Sequence, residues 1–437
     1  MKRFFTTLQN IFSIEELRTR ILNTIGFLIV FRLGTYIVLP GVDANALSGN
    51  QGGIFDLINT FLGGSFSRAS IFALGIMPYI SASIVVQLLT VAVPYFTKMQ
   101  KEGDSGRKRL NQFTRVLTII ITAAQSYGYL RATINAEAIA NPGFWSFTLP
   151  SIIILIAGTM FCMWLGERIT DKGIGNGISM LIMIGIVSRF PAAIYQEVDA
   201  KGMNGAILLI IEAFALFFVV VGTIALVQAT RRIPVQYAKQ VVGNKLYGGR
   251  RDFIPLKLNS SGVMPIIFAQ ALMFIPPLMA SIWRDSDIGA YVGTTFSDFT
   301  SWQYNLVFGI LILVFTFFYT AITVPSNDIA ENLKKNGGFI PGIKPGKATA
   351  EFIDSILSKI TLPGAIFLVV IAILPAFAVK AGITENFAQF FGGTSLLILV
   401  GVVLDTLQQV ESFLLMRHYE GMMKSGRVKG RSQFAAA

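Results

Sequence analysis

"LGIMPYIS" at 74–81 and "SGVMPIIF" at 261–268 each carry Gly-x-Met-Pro, and each places an isoleucine two residues beyond the proline, Ile80 and Ile267. A second pair repeats the relation: in "GNGISMLI" (175–182) and "FGGTSLLI" (391–398), Ile182 and Ile398 each lie one helical turn past a serine. Short matches in apolar sequence arise by chance, so either pair alone says little. Two pairs with the same offset along the chain say more.

The offset acquires meaning from composition. Of 437 residues 53% are hydrophobic and 14% charged, with mean hydropathy +0.62, more apolar surface than one water-soluble core of this size could hide. The chain reads as an integral membrane protein. A helical span needs about 20 mostly apolar residues, and ten windows qualify, near 21–39, 71–92, 114–131, 150–166, 178–190, 206–229, 262–282, 305–324, 361–379 and 394–415. The fifth is short, and Pro363 and Pro375 interrupt the ninth.

The echoes then join spans two with seven and five with ten. Elements five apart among ten cross in opposite directions, which predicts two inverted five-helix halves related by an axis in the membrane plane. Matching positions of such halves coincide only at the midplane. At about 1.5 Å per residue, Ile80 and Ile267 lie roughly 10 to 18 Å from the polar ends, close to the centre of a core about 30 Å thick.

Orientation follows from the cations. With the N-terminus inside, the segments 1–20, 97–115, 166–177, 231–259, 325–360 and 413–437 hold 29 of the 36 Lys and Arg residues. The outer side holds Arg68, Arg131, Arg189, Lys201, Arg284 and Lys380, while Arg32 falls within the first span. This asymmetry places both termini in the cytosol and agrees with an even number of spans. The net charge of +12 is therefore a one-sided surface, suited to anionic lipid. The opening "MKRFFTTLQNIFSIEELRTR" is expected to be a retained amphipathic surface helix, because no small-residue cleavage site precedes the first full-length span. Cys162, the single cysteine, sits in an apolar run and reads as a packed residue.

Enzyme chemistry is not encoded in any recognisable form, and neither a cofactor nor a metal is expected. "DKGIGNGIS" has spaced glycines but no preceding strand, so it reads as a tight turn into a helix. "GIKPGKAT" is one residue short of a phosphate loop and has Ala348 after Lys347 where Ser or Thr is needed. His418 is alone in a basic tail. The ionisable residues within spans, Arg32, Glu212 and Asp405, do not fall on the echoing helices as a matched set, which argues against a secondary transporter's coupling site. An intramembrane protease would need a Ser with His or Lys, or paired aspartates, and none is evident. The echoing helices share isoleucine at mid-depth instead. Branched apolar side chains there suit a constriction that resists water and ions.

Several long blocks carry a family resemblance. "RASIFALGIMPYISASIVVQLLTV" (68–91), "QKEGDSGRKRLNQFTR" (100–115), "MWLGERITDKGIGNGIS" (163–179), "NLKKNGGFIPGIKPGKATAEFI" (332–353) and "FGGTSLLILVGVVLD" (391–405) resemble the SecY family, the large subunits of bacterial protein-conducting translocons. The likeness runs from the first span to the tail. It implies an all-α polytopic fold of ten transmembrane helices in two inverted halves around a central pore, with a short plug helix. The implied halves are 21–190 and 206–415, joined by an external linker at 191–205, with cytosolic segments at 1–20 and 416–437.

The implied pore ring is Ile76, Ile80, Ile182, Ile267 and Ile398; Ile76 stands one turn before Ile80 and so faces the same way. The implied plug occupies about 54–67, with Phe55, Leu57, Ile58, Phe61 and Leu62 on a helix too short to span, followed by Gly63 and Gly64 as a flexible joint. Sideways release of apolar segments is expected between the second and seventh spans, with Ser81, Ser83, Gln87 and Gln270 as candidate gate residues. The loops 231–259 and 325–360 resemble the family's docking site, with Arg232, Lys239, Lys245, Arg250, Arg251 and Lys344 as candidate contacts. Two departures weaken that match: Lys344 replaces a common arginine and loses its bidentate fork, and Asn244 stands where a basic residue is common. The implied function is a channel for unfolded secretory preproteins and their signal peptides in the bacterial plasma membrane. The implied partners are the small subunits SecE and SecG, the SecA motor ATPase, the ribosome and anionic lipids, with nucleotide hydrolysis left to the motor or the ribosome.

Overall fold

The computed structural model of the chain describes residues 14–43, 62–134, 138–139, 143–202, 205–237, 239–242, 245–248, 251–273, 276 and 287–424. In chain order the elements are α1 (Glu15–Gly34), α2 (Met77–Ala92), α3 (Pro94–Lys101), α4 (Asp104–Thr133), α5 (Leu149–Lys172), α6 (Gly177–Lys201) and α7 (Ala206–Gln228). Strands β1 (Thr230–Tyr237), β2 (Lys239–Val242), β3 (Lys245–Gly248) and β4 (Arg251–Lys257) follow. Then come α8 (Met264–Met273), α9 (Asp287–Ser297), α10 (Trp302–Thr323), α11 (Ser326–Lys335), β5 (Gly338–Phe339), α12 (Lys347–Lys380), α13 (Glu385–Ala388) and α14 (Gly393–Lys424).

Among the described residues six helical segments are long and apolar enough to cross a membrane, or seven if the bent pair α2 and α3 counts as one. The expectation of ten is consistent with this. Helices also occupy the remaining windows, as α1, α4 and α8, but charges at their ends or residues outside the described set keep them from qualifying on length and composition. The apolar surface faces outward as lipid requires: on α7, Ile207, Phe214 and Phe218 are each more than 60% exposed.

Two expectations about individual spans change. The fifth, read as 178–190, is a 25-residue helix, because its polar end continues helically through Pro191 to Lys201. The ninth is unbroken from Lys347 to Lys380 despite Pro363 and Pro375. Proline is tolerated inside spanning helices where neighbouring groups take over the freed backbone. Between α2 and α3, by contrast, the chain turns by 99°. Pro94 forces Val93 into an extended conformation (φ −115°, ψ 118°) and then serves as the first residue of α3.

The chain divides into two compact units. The first comprises the described residues up to 189 together with 401–424, and the second those from 190 to 400. In the first unit α4 packs against α2 and α5, and α1 against α5. Stacked rings of Phe31, Phe72 and Phe161 run through it, 6.0 and 5.8 Å apart. Close approach demands glycine here: a Cβ on Gly158 would lie 2.2 Å from the Ile71 carbonyl oxygen.

The second unit packs α10 between α8 and α12 around a core that includes Ile266, Met273, Ile312 and Leu368, all fully buried. It also carries a small antiparallel sheet in the order β4-β1-β5. β1 runs against β4 from Thr230↔Lys257 to Gln236↔Arg251, and β2 and β3 form a separate hairpin. The alternation in "TRRIPVQY" buries Ile233 and Val235 while Arg231 and Arg232 stay exposed. Those two side chains meet Leu256, Leu333, Ile340, Ile353 and Leu357 in a satellite core. The segments 231–259 and 325–360 are thus one folded subdomain, held by apolar packing, where the sequence suggested only loops.

Candidate channel site

Both sequence echoes prove to be matching helix starts. In the first pair, α2 begins at Met77 and α8 at Met264, each with proline second, and Ile80 and Ile267 are each the fourth helical residue. Two residues before each start stands a glycine in the left-handed region, Gly75 (φ 52°) and Gly262 (φ 64°). In the second pair, α6 begins at Gly177 and α14 at Gly393, and Ile182 and Ile398 are each the sixth helical residue. Ile80 and Ile267 are therefore delivered by the same local device in each half, whereas in the second pair the left-handed glycine is Gly175 (φ 82°), two residues before α6, and Gly393 (φ 65°), the first residue of α14. Proline pre-sets the helical φ, while glycine supplies a turn that other residues adopt only with strain. At α6 the device includes a cap, since Asn176 Oδ1 accepts from the backbone N–H groups of Ile178 (3.1 Å) and Ser179 (3.3 Å).

Ile76, Ile80 and Ile182 belong to the first unit and are buried. Ile267 and Ile398 belong to the second; Ile398 is buried and Ile267 half-buried. Within the second unit these last two are tied together. Thr394 Oγ1 donates to Gln270 Oε1 across 3.0 Å. Gln270 is three residues after Ile267 on α8, and Thr394 four before Ile398 on α14, so one hydrogen bond pins both helices within a turn of both isoleucines. Gln270 was expected as a gate residue, and Thr394 was not singled out; no sequence signal pairs residues 124 apart. On α2, the Ser81 hydroxyl donates to the Met77 carbonyl, and Ser83 and Gln87 are half-buried.

Of the expected plug residues, Phe55, Leu57, Ile58 and Phe61 lie outside the described residues. Leu62, Gly63 and Gly64 are described and buried, with both glycines at positive φ (62° and 86°). Their carbonyls explain Arg32, the cation within the first span. Arg32 Nη1 donates to the Gly63 oxygen (3.1 Å), and Arg68 donates to the oxygens of both Gly63 (2.9 Å) and Gly64 (3.0 Å). Both guanidiniums lie over the Tyr36 ring, at 5.4 and 4.3 Å. Crowding fixes Gly63: a Cβ there would come within 2.7 Å of Arg32 and 3.0 Å of the Gly185 Cα.

Glu212 is likewise accounted for inside the second unit. Lys201 is bonded to Glu212 and sits 2.7 Å from Glu197 Oε1. Glu197 Oε2 accepts from the backbone N–H (2.9 Å) and the hydroxyl of Thr384. Two carboxylates and one ammonium, all largely buried, make a structural knot among α6, α7 and the turn before α13. Asp405 is exposed.

Of the expected docking contacts, Arg232 and Arg251 are exposed near opposite ends of the β1–β4 ladder, and Lys344 is exposed in the turn before α12, where its carbonyl accepts from Thr349 Oγ1 (2.9 Å). Lys239 and Lys245 lie on the hairpin strands, and Arg250 lies outside the described residues.

A polytopic helical membrane protein with paired helix starts and a folded basic subdomain belongs, by architecture, with protein-conducting channels. A solved protein-conducting channel superposes with a TM-score of 0.65 at 17% identity, covering 90% of this chain and 92% of that one. Sec61 from the canine ribosome-channel complex of the endoplasmic reticulum matches with a TM-score of 0.61 at 18% identity, covering 90% and 92%. The family model SecY matches residues 70–407. The chain is 42% identical over 436 residues to the protein translocase subunit SecY of Thermotoga maritima, covering 97% of this chain and 99% of that one. This protein belongs to the SecY family.

Proposed function

We propose that this chain is the channel-forming subunit of a bacterial protein translocase, passing unfolded preproteins across the membrane and releasing hydrophobic segments sideways into lipid. The observation that carries the reading is the matching of helix starts in two pairs, which sets Ile80 with Ile267 and Ile182 with Ile398 at the same step of their helices. With Ile76 these residues form the waist of the pore. Bulky apolar side chains close around a moving chain without offering it charge or hydrogen bonds, so nothing there holds it fast.

The segment about 54–67 is the stopper, and Gly63 and Gly64 are its joint. Ser81, Ser83, Gln87 and Gln270 line the lateral seam, where a segment leaves once lipid is the better solvent. Exposed Arg232, Arg251 and Lys344, with Lys239, Lys245 and Arg250, form the cytosolic dock for the ribosome and for SecA. SecE and SecG complete the complex, and anionic lipid faces the basic side. The chain itself is not an enzyme; energy comes from the docked motor or ribosome. Both termini are cytosolic, in the plasma membrane of a bacterium.

Single-channel conductance in a planar bilayer, with the small subunits present, tests this. The intact channel is expected to be nearly silent and deletion of residues 57–65 to open ion-permeant bursts. Silence in both, with uptake of a small solute down a gradient, would replace the reading with a secondary transporter.

A further inference from the structure

The second unit holds a cavity of ≈ 40 Å³ whose wall includes Gln270 of α8, Tyr304 and Asn305 of α10, Pro375 of α12, Gln389 just after α13, and Thr394 in the first turn of α14. Gln389 is 2% exposed, and neither its amide nitrogen nor its amide oxygen has a hydrogen-bond partner. A buried carboxamide left so is rare, because its two donors and its acceptor all lose water on burial. The neighbouring amides are engaged elsewhere. Asn305 Nδ2 donates to the carbonyls of Phe299 (2.9 Å) and Ser301 (2.8 Å), and Gln270 Oε1 accepts from Thr394 (3.0 Å).

The surrounding backbone adds donors. The first turn of α14 presents N–H groups that no intrahelical carbonyl can take. Pro375, inside α12, has no N–H to give the carbonyl of Ile371 four residues earlier. That oxygen is also where Gly392 approaches most closely, since a Cβ on Gly392 would lie 2.3 Å from it. The Gln389 carboxamide, donor and acceptor together, and the first-turn N–H groups of α14 thus share one small space.

We propose that this cavity is a hydrated site, in which ordered water joins Gln389 to the first turn of α14. The occupant must donate and accept, which excludes an acyl chain. No charged side chain lines the space, which disfavours an ion. A water needs roughly 10–15 Å³ by the same measure, so about three fit. Irregular backbone at membrane depth is stable where it is buried in protein or lines water, and the turn 389–392 is buried. Water there completes the wall on which the Gln270 to Thr394 bond rests, one turn from Ile267 and Ile398.

The test is a density map of the full chain in lipid nanodiscs, at a resolution that shows water. Peaks within hydrogen-bond distance of both amide atoms of Gln389 are expected. A dry cavity, a lipid or detergent tail in it, or Gln389 bonded directly to another side chain would overturn the proposal. Radiolytic hydroxyl labelling gives a second reading, because bound water generates radicals in place. Tyr304, 3% exposed, should be labelled in the wild type and several-fold less in Gln389→Leu. Equal labelling in both proteins would count against the site.

Discussion

Lys201 and Arg32 are both cations in largely apolar surroundings, and they are held in opposite ways. Lys201 lies between two buried carboxylates, Glu197 and Glu212, in the second unit. Arg32, with Arg68, is held in the first unit by carbonyl oxygens and by the face of Tyr36. The first arrangement balances full charges, so losing any member strands the rest. The second is built from dipoles, and the loss of one contact leaves the others standing.

The largest effect should follow Lys201→Met, which leaves two carboxylates buried without their cation. A loss of about 3–5 kcal/mol is expected, read as a lower unfolding midpoint in detergent. A smaller loss than that caused by Arg68→Ala would break the contrast. Arg68→Ala itself should cost about 1.5–3 kcal/mol, the range for hydrogen bonds to a charged group, and Arg68→Lys should recover only part because the fork is gone. Gly63→Ala sharpens the same side: a left-handed φ costs a Cβ-bearing residue about 1–2 kcal/mol before any crowding by Arg32 and Gly185 is counted. Glu212→Gln keeps an acceptor for Lys201 and leaves one balanced pair with Glu197, so about 1 kcal/mol or less is expected. The smallest effect belongs to Arg115→Ala, which breaks a partly exposed pair with Glu167 at 2.8 Å. About 0.2–1 kcal/mol is expected there, vanishing in high salt.

The contrast also marks what could be read from the chain. Apolar runs announced the spans, and the Gly-x-Met-Pro and Gly-x-Ser echoes announced the paired halves, because those signals are local and written in consecutive residues; that they fall at helix starts is seen only in the fold. Glu197 and Lys201 are four apart on one helix and could have been paired by inspection. The third and fourth members, Glu212 and Thr384, join from other elements, with Thr384 187 residues from Glu197. The same holds for Thr394 with Gln270 and for Arg32 with Gly63, whose partner is a backbone oxygen that no side-chain pattern announces. The sheet of the basic subdomain was missed for a different reason. Its strands are short and rich in arginine, and Pro234 interrupts β1; the side of β1 at Pro234 is not paired with β5, which reaches only Gln236 and Tyr237.

The helix starts make angular position a property of the sequence count. Each residue turns a helix by about 100°, so Ile182 points where it does because five steps separate it from Gly177, and Ile398 because five separate it from Gly393. One residue added between start and isoleucine would leave composition, hydropathy and length almost untouched while swinging the side chain through more than a quarter of a circle. The glycine and proline marks thus act as the zero of a dial, and the isoleucines are settings on it.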